Sequence, residues 1–334
     1  MIEARQHVLV TGGAGYIGSH VVMALIDIGY NVVVVDDLST GHNALIPDGV
    51  PRVICNAGDQ ELVATVIRDY NVTGVMHFAG SIIIEESIAN PMKYYTNNTE
   101  TSRRLVECCQ ANGVKNFVFS SSAAVYGDPK ETPVHEDAIL APVNPYGMSK
   151  MMTERMLVDI ANSEDIHFAI LRYFNVAGAD LKGRSGQIGL YANHLIHVAV
   201  KAALDDRSEV PIFGDDYNTK DGTCVRDFIH VSDLAIVHVL ALKRLMRRRN
   251  NMILNCGYGR GYSVRQVLDA VERVAGITLN VRIKGRRDGD VPRLVASADR
   301  IRKVLDWRPE IDNLDMIVGS ALDWEQKKDS LDLS

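Results

Sequence analysis

Long hydrophobic runs are missing from this sequence. No stretch approaches the roughly 18 apolar residues of a membrane-spanning helix, so no membrane contact is expected. Cysteine is scarce and oddly numbered. Cys55, Cys108, Cys109, Cys224 and Cys256 are the five, with no C-x-x-C pair and no metal-like spacing. That argues against a disulfide framework or a metal centre and for reduced thiols in the cytoplasm. The opening MIEARQHVLVTG passes straight into a strand pattern with no signal peptide, which points to the same compartment. A basic surplus is lacking too. Lys and Arg number 36 against 42 Asp and Glu, a formal charge of −6, which argues against a nucleic-acid partner. The one dense basic patch, Arg247 to Arg249, follows a helical pattern and reads as a solvated helix C-terminus. There is no internal repeat and no low-complexity tail.

What is present is an ordinary globular composition, 46% hydrophobic and 23% charged over 334 residues, enough for one large domain or two modest ones. Short β-branched runs fall at 7–10, 31–36, 52–56, 74–79, 116–121, 168–175 and 252–257. Several are apolar on both faces, as in a parallel sheet covered on each side. Helical patterns at 16–29, 60–70, 91–112 and 146–162 separate them. The alternation predicts an α/β fold, a Rossmann-type doubly wound parallel sheet. After about residue 176 the regularity loosens, and helical patterns return at 190–205, 231–247, 263–275, 297–306 and 313–328. The expected division is a dinucleotide-binding domain over 1–176, with returning segments near 225–257, and a smaller mixed α/β substrate lobe over 177–334.

The segment VLVTGGAGYIGSH sets Gly12, Gly15 and Gly18 between a strand and a helix that Tyr16 and Ile17 open. Glycine permits the tight turn and the approach of backbone to a pyrophosphate, and the helix N-terminus offers free N–H groups. Asp36 ends the second strand 18 residues after Gly18, followed by Asp37. A carboxylate there accepts hydrogen bonds from ribose hydroxyls and repels a 2′-phosphate, favouring NAD over NADP. Asp59 and Gln60 are candidates to meet the adenine, Phe78, Ala79 and Gly80 to pack against the cofactor, and Asn97 to offer an amide. Asp and Asn also cap helices. These positions gain weight from lying at successive strand ends, along which ligands bind.

Ser120 and Ser122 end another strand. Tyr146 and Lys150 follow in NPYGMSK, four apart and therefore on one helix face. Alone, NPYGMSK reads equally as a helix start with proline in its first turn. Tyrosine, with a pKa near ~10, serves as a base only if its phenolate is stabilised. Together with TGGAGYIGSH, HFAG, NFVFSSSAAVYGD, LRYFNVAGA, DGTCVRDFIHVSDLA and RRDGDVP, in that order, these motifs resemble the extended short-chain dehydrogenase/reductases. Within them the chain resembles the UDP-glucose 4-epimerase family over essentially its whole length.

That resemblance implies tightly bound NAD, a UDP-sugar substrate and a homodimer formed through the helices at 91–112 and 146–162. It implies Tyr146 as base, with Lys150 and Ser122 assisting. Asn175, His194, Leu195, Arg226, Arg287 and Asp290 would hold the nucleotide, and Phe213 would lie against the uracil. Arg226 also reads as a salt-bridge partner of Asp227 or another acid. Tyr173 reads either as closing over the ligand or as core. Related dehydratases and decarboxylases carry acids where this chain has Ala123 and Ala124, which favours simple oxidation and re-reduction. Three positions depart from the family pattern: Ile82 in place of a cofactor-facing lysine, His194 in place of asparagine, and Leu294 where substituent size gates an N-acetyl group.

Overall fold

The computed structural model describes residues 7–188, 194–205, 208–287 and 289–328. The first half of the chain runs β1 (His7–Thr11), α1 (Tyr16–Asp27), β2 (Asn31–Asp36), β3 (Arg52–Ile54), α2 (Gln60–Asp69) and β4 (Val72–His77). It continues through α3 (Ile84–Ala89), α4 (Pro91–Tyr94), a π-helical stretch over Tyr95–Glu100, α5 (Thr101–Ala111), β5 (Asn116–Ser122), α6 (Pro145–Ser163) and β6 (His167–Tyr173). The second half holds β7 (Asn175–Ala177), α7 (Leu195–Ala203), β8 (Glu209–Phe213), β9 (Val225–His230), α8 (Val231–Arg248) and β10 (Met252–Cys256). It ends with β11 (Gly261–Ser263), α9 (Val264–Ala275), β12 (Asn280–Lys284), β13 (Arg293–Leu294), α10 (Asp299–Leu305) and α11 (Leu314–Lys328).

Seven strands form one sheet in the order β10-β6-β5-β4-β1-β2-β3. β1 pairs in parallel with both β2 and β4, so the strand order reverses at the β1–β4 boundary, where dinucleotides bind in such sheets. Val32 to Val35 are all buried, which explains why β2 is apolar on both faces. Leu9, Val33, Val75, Phe117 and Ile170 share one core with Val63 and Val66 of α2, Leu105 of α5 and Leu157 of α6. On the opposite face of β4, Gly74 makes room for Leu242 of α8: a methyl group there would stand 2.9 Å from Leu242 Cδ1.

The chain divides into two compact units. One comprises 1–127, 139–172 and 235–254, the other 128–138, 173–234 and 255–334. In the second unit, β9 pairs with β7 and β13 in parallel and with β11 antiparallel, while β8 and β12 form a separate two-stranded ribbon. Asp227 of β9, fully buried, binds that unit together. It accepts the backbone N–H groups of Tyr258 at 2.9 Å, Gly259 at 2.8 Å and Ala296 at 3.2 Å. No helix of the described residues is long and apolar enough to cross a membrane.

Candidate active site

The glycine turn is built by close approach. Gly12 takes φ +72°, and a Cβ on it would fall 2.5 Å from the Ala79 nitrogen. A Cβ on Gly18 would fall 2.1 Å from the Gly12 oxygen. The turn therefore sits against the 78–79 backbone, and the first turn of α1 sits on the glycine loop. Gly15 is the N-cap of α1. It contributes no side-chain cap, and no acid lies in the first turn. An uncapped, unopposed helix N-terminus is the anion-binding arrangement that the motif requires, so these residues fit a dinucleotide pyrophosphate.

Asp36 is buried at the end of β2. It accepts the N–H groups of Ala14 and Leu38, each at 2.9 Å. Burial raises its pKa, and those two bonds oppose the rise. Each oxygen retains a further lone pair. Asp37 is exposed and caps the Ser39 N–H at 3.0 Å. Asp59 caps α2 through the Leu62 N–H at 3.2 Å, and the Gln60 amide turns to the Arg104 carbonyl at 3.0 Å. Phe78 continues the sheet bonding through the Thr11 carbonyl at 2.9 Å.

The candidate catalytic set assembles where β5 meets α6. Asn144 caps α6 through the Gly147 N–H at 2.9 Å, with Pro145 in the first turn, so the helix start and the Tyr146–Lys150 face are one construction. The half-buried Tyr146 has Ser122 close enough to bear on its phenol. Lys150, 4% exposed, donates to the Ser120 carbonyl at 2.9 Å and lies 5.1 Å from the Phe119 ring centre and 6.0 Å from that of Tyr146. Burial pulls Lys150 down to about 8, against the opposing pull of Glu154. Burial raises the Tyr146 phenol, and Ser122 offsets part of that rise. The Lys150 ammonium is directed to the Ser120 carbonyl.

Residues around the β4 terminus and the 95–100 stretch hold the set. Asn98, buried, accepts the Ser81 N–H at 2.7 Å and donates to Ser149 Oγ at 3.0 Å. A methyl group on Gly80 would stand 3.0 Å from Asn98 Oδ1 and 3.8 Å from Lys150 Nζ. Asn97 donates to Ser81 Oγ at 2.9 Å. His77, fully buried, bridges Thr11 at 2.7 Å and Ser102 at 2.8 Å. Because Ser102 gives its proton to the Asn98 carbonyl, His77 donates from Nε2 and accepts at Nδ1. Burial and the Lys150 charge press it down to about 3, so it is neutral. A buried Glu154–Arg172 pair at 2.6 Å lies one helical turn beyond Lys150. Its signal was an arginine inside the apolar strand FAILRYFN, which cannot be buried without a partner.

The second unit carries the other set. Arg226 stands beside Leu294 in register. Its guanidinium donates to the Val291 carbonyl at 2.8 Å and reaches Asp290 at 3.4 Å. The acid beside it is thus Asp290; Asp227 is occupied by backbone, and burial pushes it up to about 6. Arg287 reaches the same Asp290 at 3.3 Å, and its guanidinium lies 4.3 Å from the Phe213 ring centre. Asn175, His194 and Leu195 line one cavity with Gly178, Phe228 and Trp324. Tyr173 is buried at the end of β6, the core alternative. Ile82 is 57% exposed. Among the described residues there is no cluster of groups able to hold a metal ion.

A model of the NAD dependent epimerase/dehydratase family matches residues 8–257. The chain is 54% identical over 323 residues to the UDP-glucose 4-epimerase of Azospirillum brasilense, covering 97% of this chain and 93% of that one. It superposes on the UDP-glucose 4-epimerase of Brucella ovis in complex with NAD with a TM-score of 0.92 at 39% identity, covering 95% and 98% of the two chains. The Bifidobacterium longum UDP-glucose 4-epimerase in complex with NAD+ and UDP gives 0.90 at 36%, covering 97% and 99%.

Proposed function

The chain belongs to the NAD dependent epimerase/dehydratase family, and on that premise we infer that it is a UDP-hexose 4-epimerase, interconverting UDP-glucose and UDP-galactose. The observation that carries this reading is the meeting of Ser122, Tyr146 and Lys150 at the end of β5, with alanines at 123 and 124 where elimination chemistry would need an acid.

The cofactor is NAD, which supplies hydride acceptance from C4 of the sugar and hydride return. Gly12, Gly15, Tyr16, Ile17 and Gly18 hold its pyrophosphate at the start of α1, and Asp36 and Asp37 its adenosine ribose. Asp59 and Gln60 lie toward the adenine, while Phe78, Ala79, Gly80, Asn97 and Ser120 line its nicotinamide end. Tyr146 takes the proton from the sugar 4-hydroxyl. Ser122, beside Tyr146, holds the 4-oxygen and passes the proton. Lys150 keeps positive charge beside the developing phenolate and reaches the nicotinamide ribose. The 4-keto sugar turns over, and Tyr146 returns the proton to the 4-oxygen. No net redox change results.

Arg226 and Arg287 pair with the diphosphate through charge-assisted bonds, Asp290 orients both, Asn175, His194 and Leu195 flank it, and Phe213 stacks on the uracil. Leu294, intermediate in size and beside Arg226, supports a second reading in which the substrate is N-acetylated. The chain acts in the cytoplasm as a homodimer. The test is a panel of UDP-sugars given to the purified protein without added NAD, followed by product analysis and ultraviolet absorbance. Conversion of UDP-galactose with constant absorbance supports epimerisation. Accumulating NADH would indicate a net oxidoreductase, and no product from any UDP-sugar with NAD bound would overturn the assignment.

A further inference from the structure

Three elements meet beneath Lys150 through one carboxylate. Glu154, 2% exposed, lies one turn after Lys150 on α6. It accepts the Ser121 hydroxyl of β5 and is gripped by Arg172 of β6, whose Nε donates at 3.0 Å and whose Nη2 donates at 2.6 Å. Arg172 Nη1 then donates to Tyr126 Oη at 2.8 Å, and the guanidinium lies 5.0 Å from that ring's centre. Tyr126 closes the short 3₁₀ turn, Ala123–Tyr126, that follows β5. Ser121 is flanked by Ser120, whose carbonyl receives Lys150, and by Ser122, which meets Tyr146. The strand residues on both sides of Ser121 touch the reacting pair, and Ser121 itself touches Glu154.

We propose that Glu154, locked by Arg172, is a positioning residue for the reaction: it fixes the β5 terminus under Tyr146 and keeps the Lys150 side chain cationic. The groups facing Lys150 leave this role to Glu154. His77 on β4 is neutral. Phe119 and Ser120 on β5 carry no charge. Tyr146 is the group to be ionised, and Tyr94 of α4, edge-on to Tyr146 at 6.4 Å, is bonded to Glu86. Arg172 is the opposing charge, and it is paired with Glu154. Burial pulls the ammonium toward neutrality, and the Glu154 carboxylate one helical turn away opposes it. A buried pair is weak evidence for added stability, since apolar replacements often serve as well; its retention beside a lysine that must stay charged has a chemical rationale.

This role deepens the proposed epimerase reading and rests on it for its meaning, but its test does not. The Lys150 titration is followed by NMR of ¹³Cε-labelled lysine, with Lys150→Arg assigning the signal. Glu154→Gln is compared with the wild type. Glu154→Gln/Arg172→Gln serves as the variant that leaves no buried charge unpaired. Glu154→Gln is expected to lower the Lys150 midpoint by about 1 pH unit, the size of effect an adjacent opposite charge exerts, and the double variant, which also removes the Arg172 charge, by less. The alkaline limb of kcat should move down with it. A Lys150 midpoint that stays in place in Glu154→Gln, or a kcat unchanged or reduced equally at every pH in both variants, would overturn the proposal. A wild-type protein that turns over no UDP-sugar would fault the epimerase reading alone, because the titration is read without turnover.

Discussion

Tyr146 and Lys150 show how burial works against the reaction that the site performs. Both lose hydration, and in both the charged form is disfavoured. Removing the phenol tests the base directly. Tyr146→Phe is expected to lower kcat by at least about 10²- to 10⁴-fold, the range for a general base, with circular dichroism and bound NAD unchanged. Lys150 makes a thermodynamic prediction of opposite sign. Its folded pKa is depressed below the unfolded value, so the charged side chain opposes folding at pH 7, and that opposition fades as pH rises from about 8 toward 10.5. Lys150→Met is therefore expected to be inactive yet more stable at pH 7, by at most about 3 kcal/mol, less the lost bond to Ser120. Denaturant midpoints measured from pH 7 to 10 should show the advantage shrinking as pH climbs. In the second unit, Arg287 is shared between Asp290 and the Phe213 face. Arg287→Ala is expected to raise KM for UDP-galactose by about tenfold, the loss of one charge-assisted bond, with kcat little changed in steady-state assays.

At the scale of elements, the glycine turn is the least forgiving piece. Gly18→Ala would force a methyl group onto the Gly12 carbonyl, which is backbone and cannot swing aside. The variant should lose bound NAD, read from its absorbance after denaturation, and unfold at lower temperature. Much of this architecture was legible in the sequence. The seven β-branched runs became the seven sheet strands, because a strand buried on both faces must be apolar throughout. The single helix expected over 91–112 is broken instead. The π-helical stretch over 95–100 interrupts it where Asn97 and Asn98 reach Ser81 and Ser149, and such turns commonly mark functional sites. The β8–β12 ribbon escaped notice for a different reason. β8 buries Val210 and Ile212 but is interrupted by Pro211, tolerable in a two-stranded edge, and every residue of β12 is exposed, so the pair has no continuous apolar run. The proposed triad was legible only through the ordered set of motifs, since the four-residue spacing of Tyr146 and Lys150 alone also fits a plain helix start. The Glu154–Arg172–Tyr126 network was not, because its members come from three segments joined only by folding.

Over the whole molecule, some of the apolar residues left at the surface of the first unit lie on α3, α4 and α6. Met92 is 67% exposed, Ile88 55% and Met152 40%. A homodimer through these helices would cover them, and Met92→Lys/Met152→Lys is expected to shift the protein from dimer to monomer by light scattering. The path of the chain has a consequence for its making. Each compact unit is composed of three separate segments, so neither is complete until late in synthesis. The turn that receives NAD, the tyrosine and the lysine have all emerged by residue 150. β10, the outer neighbour of β6 in the sheet, begins roughly 80 residues after β6 ends, a delay on the order of 4–16 s at the pace of a ribosome. During that interval β6 is an open edge of backbone N–H and C=O groups in an apolar strand, the kind of edge that recruits other chains. The nascent protein thus carries Tyr146 and Lys150 before its sheet is closed, and shielding by chaperones matters most in that window.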